Sequence, residues 1–195
     1  MLERSKIVET FEWVQNNCSG AVRSFCIGYP LWESSVHVDI ANQTRFTTIL
    51  QTIADQLPRY SAICMVRVWD TNSESKSIFK LKNQMSQHKE LRSSAEFQNI
   101  CAAIDDYVKT DSARVLRTMR DKMFAHTEGV ATDHTNSLPL VEFAAVIDLT
   151  VLILDKCQTI LMPEKSSYMD LVESWMKDRN LELQKMLEIL AKAEN

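Results

Sequence analysis

The chain has almost no backbone punctuation, with three Gly and four Pro in 195 residues. Gly supplies the positive φ of tight turns and Pro the fixed φ that interrupts helices. Their scarcity speaks against a turn-rich fold and for long helices joined by few loops. Sustained alternation of apolar and polar residues is also missing, so no run is long enough to build a sheet. No internal repeat is visible. The five cysteines, Cys18, Cys26, Cys64, Cys101 and Cys157, are odd in number, and no pair has zinc spacing. Cys64, Cys101 and Cys157 fall in apolar-periodic stretches and read as small core residues, which suits a reducing cytoplasm. The opening Met1-Leu2-Glu3-Arg4-Ser5-Lys6 is polar and leads into no signal-peptide apolar core. The most apolar segment, residues 141–162, carries Glu142, Asp148, Asp155 and Lys156, so it reads as a buried or amphipathic helix and not a membrane span.

What is present suffices for one folded domain over residues 1–195: 45% of the residues are hydrophobic and 25% charged. A formal net charge of −4 argues against a general nucleic-acid coat. The charge is uneven, however. Lys109, Arg114, Arg117, Arg120 and Lys122 lie close together against only Asp111 and Asp121. Such a run is often a solvated helix face, but a local positive excess can hold a phosphate even in an acidic protein.

Apolar spacing predicts a first helix over 3–27, on Ile7, Phe11, Val14 and Cys18, broken at Gly28-Tyr29-Pro30. A second is predicted from Leu31 to Leu57, ended or kinked at Pro58. Ser61 to Trp69 would permit a short strand, but with no partner strand in evidence helix is favoured. Asp70 to Ser77 reads as a polar loop, and Ile78 to Leu91 as a short helix. Ser93-Ser94-Ala95-Glu96 has the form of a capping box and opens a helix with Phe97, Ile100, Cys101, Ile104, Tyr107 and Val108 on one face. Asp111 is a candidate cap for the next helix, whose apolar stripe is Val115, Leu116, Met119, Met123 and Phe124, with Gly129 as its stop. Pro139 opens a long apolar helix closed by Pro163. The last helix begins at Ser167-Tyr168-Met169-Asp170, with Met169, Val172, Met176, Leu183, Met186 and Leu190 inward.

The most informative stretch is Leu116-Arg117-Thr118-Met119-Arg120-Asp121-Lys122-Met123-Phe124-Ala125-His126. Arg120 is a permanent cation shaped to grip phosphate oxygens. His126 can give and take a proton near neutral pH. On an ideal helix their separation of six positions is about 9 Å of rise and about 120° of rotation, so they meet on one substrate only where the helix ends or distorts. An Arg followed by a His at such spacing is common by chance, so the neighbouring residues carry the case.

These residues resemble the motif of the HEPN superfamily (higher eukaryotes and prokaryotes nucleotide-binding), in its bacterial abortive-infection branch. That family has an Arg, a polar residue directly after it, and a His four to six residues on, often preceded by Ala. Asp121 and Ala125 fill those places here. A softer likeness lies in Val66-Arg67-Val68-Trp69-Asp70 and Ser77-Ile78-Phe79-Lys80-Leu81. The resemblance implies an all-α, multi-helix bundle with the motif helix followed by a long apolar helix. It implies a metal-independent endoribonuclease, acting in antiviral defence by abortive infection or as a toxin–antitoxin effector, with no cofactor. Arg120 would stabilise charge on the scissile phosphate, His126 would act on the ribose 2′-OH or the leaving oxygen, and Asp121 would orient one of them. Arg117, Arg114 and Lys122 would bind RNA. The implied partners are a second copy of the chain, completing the site across a two-fold, and a cognate antitoxin or nucleotidyltransferase. Glu128 stands where some relatives carry a Tyr that such a transferase modifies, which tells against that modification here. The other reading is a non-catalytic module that binds RNA, nucleotide or a protein through the same basic groove. His37, His88 and His134 have no partners at metal spacing and read as surface or loop residues. Trp13, Trp32, Trp69 and Trp175 sit in apolar patterns and read as core or interface.

Overall fold

The first helix runs through the residues where the sequence suggests a stop. In the computed structural model, which describes residues 3–33, 38–39, 42, 46–125 and 138–192, α1 spans Arg4–Glu33 and includes Gly28 and Pro30. The second helix, α2 (Thr47–Val68), likewise passes through Pro58. Neither helix therefore ends at Gly28-Tyr29-Pro30 or at Pro58, and one contact links the two places. A Cβ built on Gly28 would lie 2.7 Å from Pro58 Cδ and 3.1 Å from Leu57 Cβ. Gly28 is thus the notch that lets α1 and α2 pack backbone to ring. Burial compensates for the helix bond that Pro30 forfeits: Phe25 stacks on Tyr29 at 4.9 Å and meets Phe143 at 5.7 Å, and Leu31 is buried with Leu50, Ala54, Leu183 and Leu187.

Beyond α2 come α3 (Ile78–Gln87), the single turn α4 (Lys89–Arg92), α5 (Ala95–Tyr107), α6 (Asp111–Ala125), α7 (Leu140–Leu161) and α8 (Tyr168–Lys192). All regular structure among the described residues is helical. The Ser61–Trp69 segment is helix up to Val68, as its lack of a partner strand suggests. Two caps differ from the sequence reading by one residue. Ser94, and not Ser93, accepts the Phe97 N–H at 3.0 Å. Ser93 donates instead to the Glu90 carbonyl at 3.0 Å. Thr110, and not Asp111, accepts the Ala113 N–H at 3.2 Å, leaving Asp111 as a first-turn acid that favours the helix dipole.

The main core is built on Ile7, Phe11, Val14 and Cys18 of α1, Met65 and Val68 of α2, Phe97, Ile100 and Ile104 of α5, and Ile153, Leu154 and Cys157 of α7, all nearly inaccessible. Each large aliphatic or aromatic side chain so buried contributes roughly 1.5–3 kcal/mol. Polar contacts fasten the ends. Arg4 donates to the Leu161 carbonyl at 3.1 Å, placing a cation on the C-terminus of α7. Asp155 of α7 accepts the backbone N–H groups of Tyr168 and Met169 at 2.8 and 3.1 Å, capping α8 from a neighbouring helix. The inner face of α8 departs from the stripe read in the sequence. Val172 and Leu183 are buried, but Met176 and Met186 are exposed, and Leu187 takes the inward place. The five cysteines are free thiols; Cys18, Cys26, Cys64 and Cys157 are buried and Cys101 is half-buried. Burial pushes the Cys18 and Cys157 thiols up to about 12. Among the described residues no helix is long and apolar enough to cross a membrane.

Candidate functional site

The site is built where α6 crosses the loop that follows α2. On α6, buried Ala113 and Leu116 hold the helix against the core, and this turns Arg117 and Arg120 toward the loop's side. The loop is shaped by its own side chains: Asp70 accepts the Asn72 N–H at 3.0 Å, and Asn72 accepts the Glu74 N–H at 3.0 Å. These are Asx turns, which need no glycine.

Asp70 is the anchor. Its carboxylate is only 13% exposed and receives the Ser75 hydroxyl at 2.6 Å and Arg120 Nη1 at 3.1 Å. Burial pushes its pKa up. The hydrogen bonds from Ser75, the Asn72 N–H and Arg120 outweigh that and hold the carboxyl below its ordinary value. Arg120 also donates from Nη1 to Thr71 Oγ1 at 3.0 Å, and from Nε and Nη2 to Asp121 Oδ1 at 2.9 and 2.6 Å. A guanidinium has five N–H donors. Four of them are thus engaged within the protein: Nε, both of Nη1, and one of Nη2. The partnership with Asp121, then that with Asp70, raises the pKa of Arg120 further above its ordinary value.

Arg120 and Arg117 border a small cleft whose floor includes Trp69, Phe79, Tyr107 and Leu116. Its volume of about 20 Å³ admits roughly one water-sized group. Trp69 is locked beneath it. Its ring lies 4.1 Å from that of Tyr107, and its Nε1–H donates to Thr150 Oγ1 at 2.9 Å. Arg117 is exposed and held lightly, its guanidinium donating to the Ala113 and Val108 carbonyls at 3.3 Å.

The structure therefore brings Arg120, Asp121 and Arg117 together. Arg114 lies outside the cleft lining, exposed and paired with Asp111 at 2.9 Å one turn away. Lys122 belongs to α6, but its side chain is outside the description. His126, Glu128 and Gly129 lie outside the described residues, as do His37 and His134. His88 stands between α3 and α4. Among the described residues no group of three or more His, Cys, Asp or Glu is placed to hold a metal ion.

Asp70, Thr71 and Tyr107 are site residues that the motif alone does not reveal. Asp70 and Thr71 carry a weak signal, since Asp70 ends a segment of softer family likeness and Thr71 directly follows it. Tyr107 has none, because in sequence it is one more member of an apolar helix face. No protein-family model, no curated protein and no solved structure matches this chain.

Proposed function

We propose that the chain is a HEPN-type, metal-independent endoribonuclease, with Arg120 and His126 as its working pair and Asp121 as the residue that orients Arg120. The observation that carries the reading is the setting of Arg120. It stands at the edge of a cleft, 26% exposed, with its guanidinium plane fixed from two sides by Asp70 and Asp121. A cation pre-oriented in this way meets a developing phosphorane charge without reorganising, which is the source of most electrostatic catalysis. The helix that carries it continues to Ala125, so the imidazole of the motif follows directly in the chain. The helical fold, with α6 preceding the apolar α7, is compatible with a HEPN-like arrangement.

In this reading His126 takes the proton from a ribose 2′-OH or gives one to the leaving 5′-oxygen. Arg120 and Arg117 neutralise the phosphate, while Asp121 and the more buried Asp70 hold the Arg120 guanidinium in place. A second copy of the chain completes the site across a two-fold. The protein works in the cytoplasm as a defence or toxin–antitoxin effector, held in check by a cognate antitoxin or nucleotidyltransferase. The test is cleavage of total RNA by purified protein, with and without EDTA, beside His126→Ala. Cleavage that survives chelation, leaves a 2′,3′-cyclic phosphate, spares DNA and disappears in the variant is the expected result.

One observation favours the second reading, a non-catalytic module binding RNA, nucleotide or a protein. Four of the five Arg120 donors already have partners inside the protein, as in a structural ion pair. No cleavage by the wild type decides for it, and cleavage unaffected by His126→Ala removes the motif from the chemistry.

A further inference from the structure

Tyr107 is buried at 6% exposure, yet among the described residues its hydroxyl has no hydrogen-bond partner. Buried phenols almost always have one, because an orphaned O–H loses its water without replacement. This hydroxyl belongs to a residue lining the same cleft as Arg117 and Arg120, and the Arg117 charge acts on it. The polar side chains bordering the cleft are two guanidinium groups, the Tyr107 phenol and the Thr71 hydroxyl. Among the described lining residues none is a carboxylate. Burial raises the phenol pKa, so it keeps its proton and acts as a donor throughout the neutral range. The one Arg120 N–H left over is a donor as well. Within the lining these donors meet no carboxylate, Asp70 and Asp121 holding Arg120 from outside it, and such a set favours an anion; a cleft of about 20 Å³ admits one oxygen and not a base or a ring.

From this we infer that Tyr107, with Arg117 and Arg120, binds a non-bridging oxygen of a phosphate ester, the nucleoside standing outside the cleft. The inference rests on reading this cleft as the site of an RNA phosphate. It adds to that reading a neutral hydrogen-bond donor that the Arg-and-His motif does not contain.

The test is calorimetric titration of the full chain with uridine 3′-monophosphate at low salt, with uridine and inorganic phosphate as comparisons. Tyr107→Phe removes one oxygen and keeps the ring, and a thermal melt equal to or above wild type shows that the variant folds. The expected result is nucleotide binding by wild type, weakened fivefold or more in Tyr107→Phe and in Arg117→Gln, with uridine not binding. Inorganic phosphate binding with the same Tyr107 dependence places recognition in the phosphate group alone. Equal affinity in Tyr107→Phe, no binding by wild type, or uridine binding as tightly as its phosphate each overturns the inference. RNA cleavage, assayed in parallel, separates the two claims. A wild type that binds through Tyr107 but does not cleave leaves the anion site standing without the nuclease. A wild type that cleaves while Tyr107→Phe binds and cleaves equally leaves the nuclease without this contact.

Discussion

Arg120 and Asp70, fifty residues apart in sequence, meet with Nη1 3.1 Å from Oδ1 and tie the loop after α2 to the helix that carries the motif. Asp70 holds three donors at once, from Ser75, Asn72 and Arg120, and is mostly shielded from water. A charged hydrogen-bonded group so placed is costly to neutralise. Asp70→Asn keeps the shape but loses the charge, and should cost about 2 kcal/mol at pH 7 in urea denaturation. The pH dependence has a definite sign. The folded-state carboxyl lies below its ordinary value of 3.8, so its contribution is complete above that value and is lost as pH falls through the lower, folded one. The stability gap between wild type and Asp70→Asn should be flat near neutrality and close only in strong acid. A gap that closes between pH 7 and 5 would point to a different group.

The broad fold was legible because it follows from quantities that add up locally. Few glycines and prolines, and apolar residues at helical spacing, are enough to place α5 with Phe97, Ile100, Ile104 and Tyr107 inward. What could not be read is where a local rule yields to a packing partner distant in sequence. Gly28 and Pro58 each look like an interruption in sequence, and that they instead form the close contact between α1 and α2 is visible only in the fold. Met176 and Met186 fit a helical stripe, but the face of α8 that meets Leu31 and Leu50 is set by Leu183 and Leu187. Within the site, Arg120 and Asp121 were legible as a motif. Asp70 was not, since its role depends on a crossing between α6 and a loop that sequence spacing does not encode.

The Gly28 notch gives a sharp stability test. On propensity alone Gly28→Ala should stabilise α1 by up to about 1 kcal/mol. The added methyl would stand 2.7 Å from the rigid Pro58 ring, which has no free rotor with which to withdraw. Overpacking of that kind costs about 1–3 kcal/mol, so the net change should be destabilising. The double variant Gly28→Ala with Pro58→Ala should recover most of the loss if the clash is the cause. A more stable single variant would show that the two helices do not pack this closely.

Thr150 should matter for a reason its side-chain volume conceals. Its hydroxyl accepts the Trp69 indole N–H and donates to the Val146 carbonyl at 2.7 Å, in a fully buried position. Thr150→Val fills the same space but orphans the indole N–H, at about 1–3 kcal/mol. For a chain of this length that is a fall of roughly 2–12 °C in Tm. Thr150→Ser, which retains the acceptor, should lose less. A Val variant as stable as wild type would exclude the indole hydrogen bond.

Asp121 offers the clearest separation of binding from turnover at the proposed site. Its carboxylate occupies Nε and Nη2 of Arg120, the side of the guanidinium on which a phosphate would have to compete with it. It also brings a negative charge beside the one residue best suited to hold an anion. Asp121→Asn removes that charge and weakens the hold on Arg120. Affinity for a nucleotide phosphate at low salt should therefore rise, and the gain should shrink as salt screens the removed repulsion. If Asp121 also orients Arg120 for chemistry, the same variant should lower kcat by roughly tenfold or more while KM falls. A rise in KM together with a fall in kcat would mean that Asp121 helps to hold substrate. Unchanged values of both would make the Arg120–Asp121 contact a surface ion pair of the kind worth little.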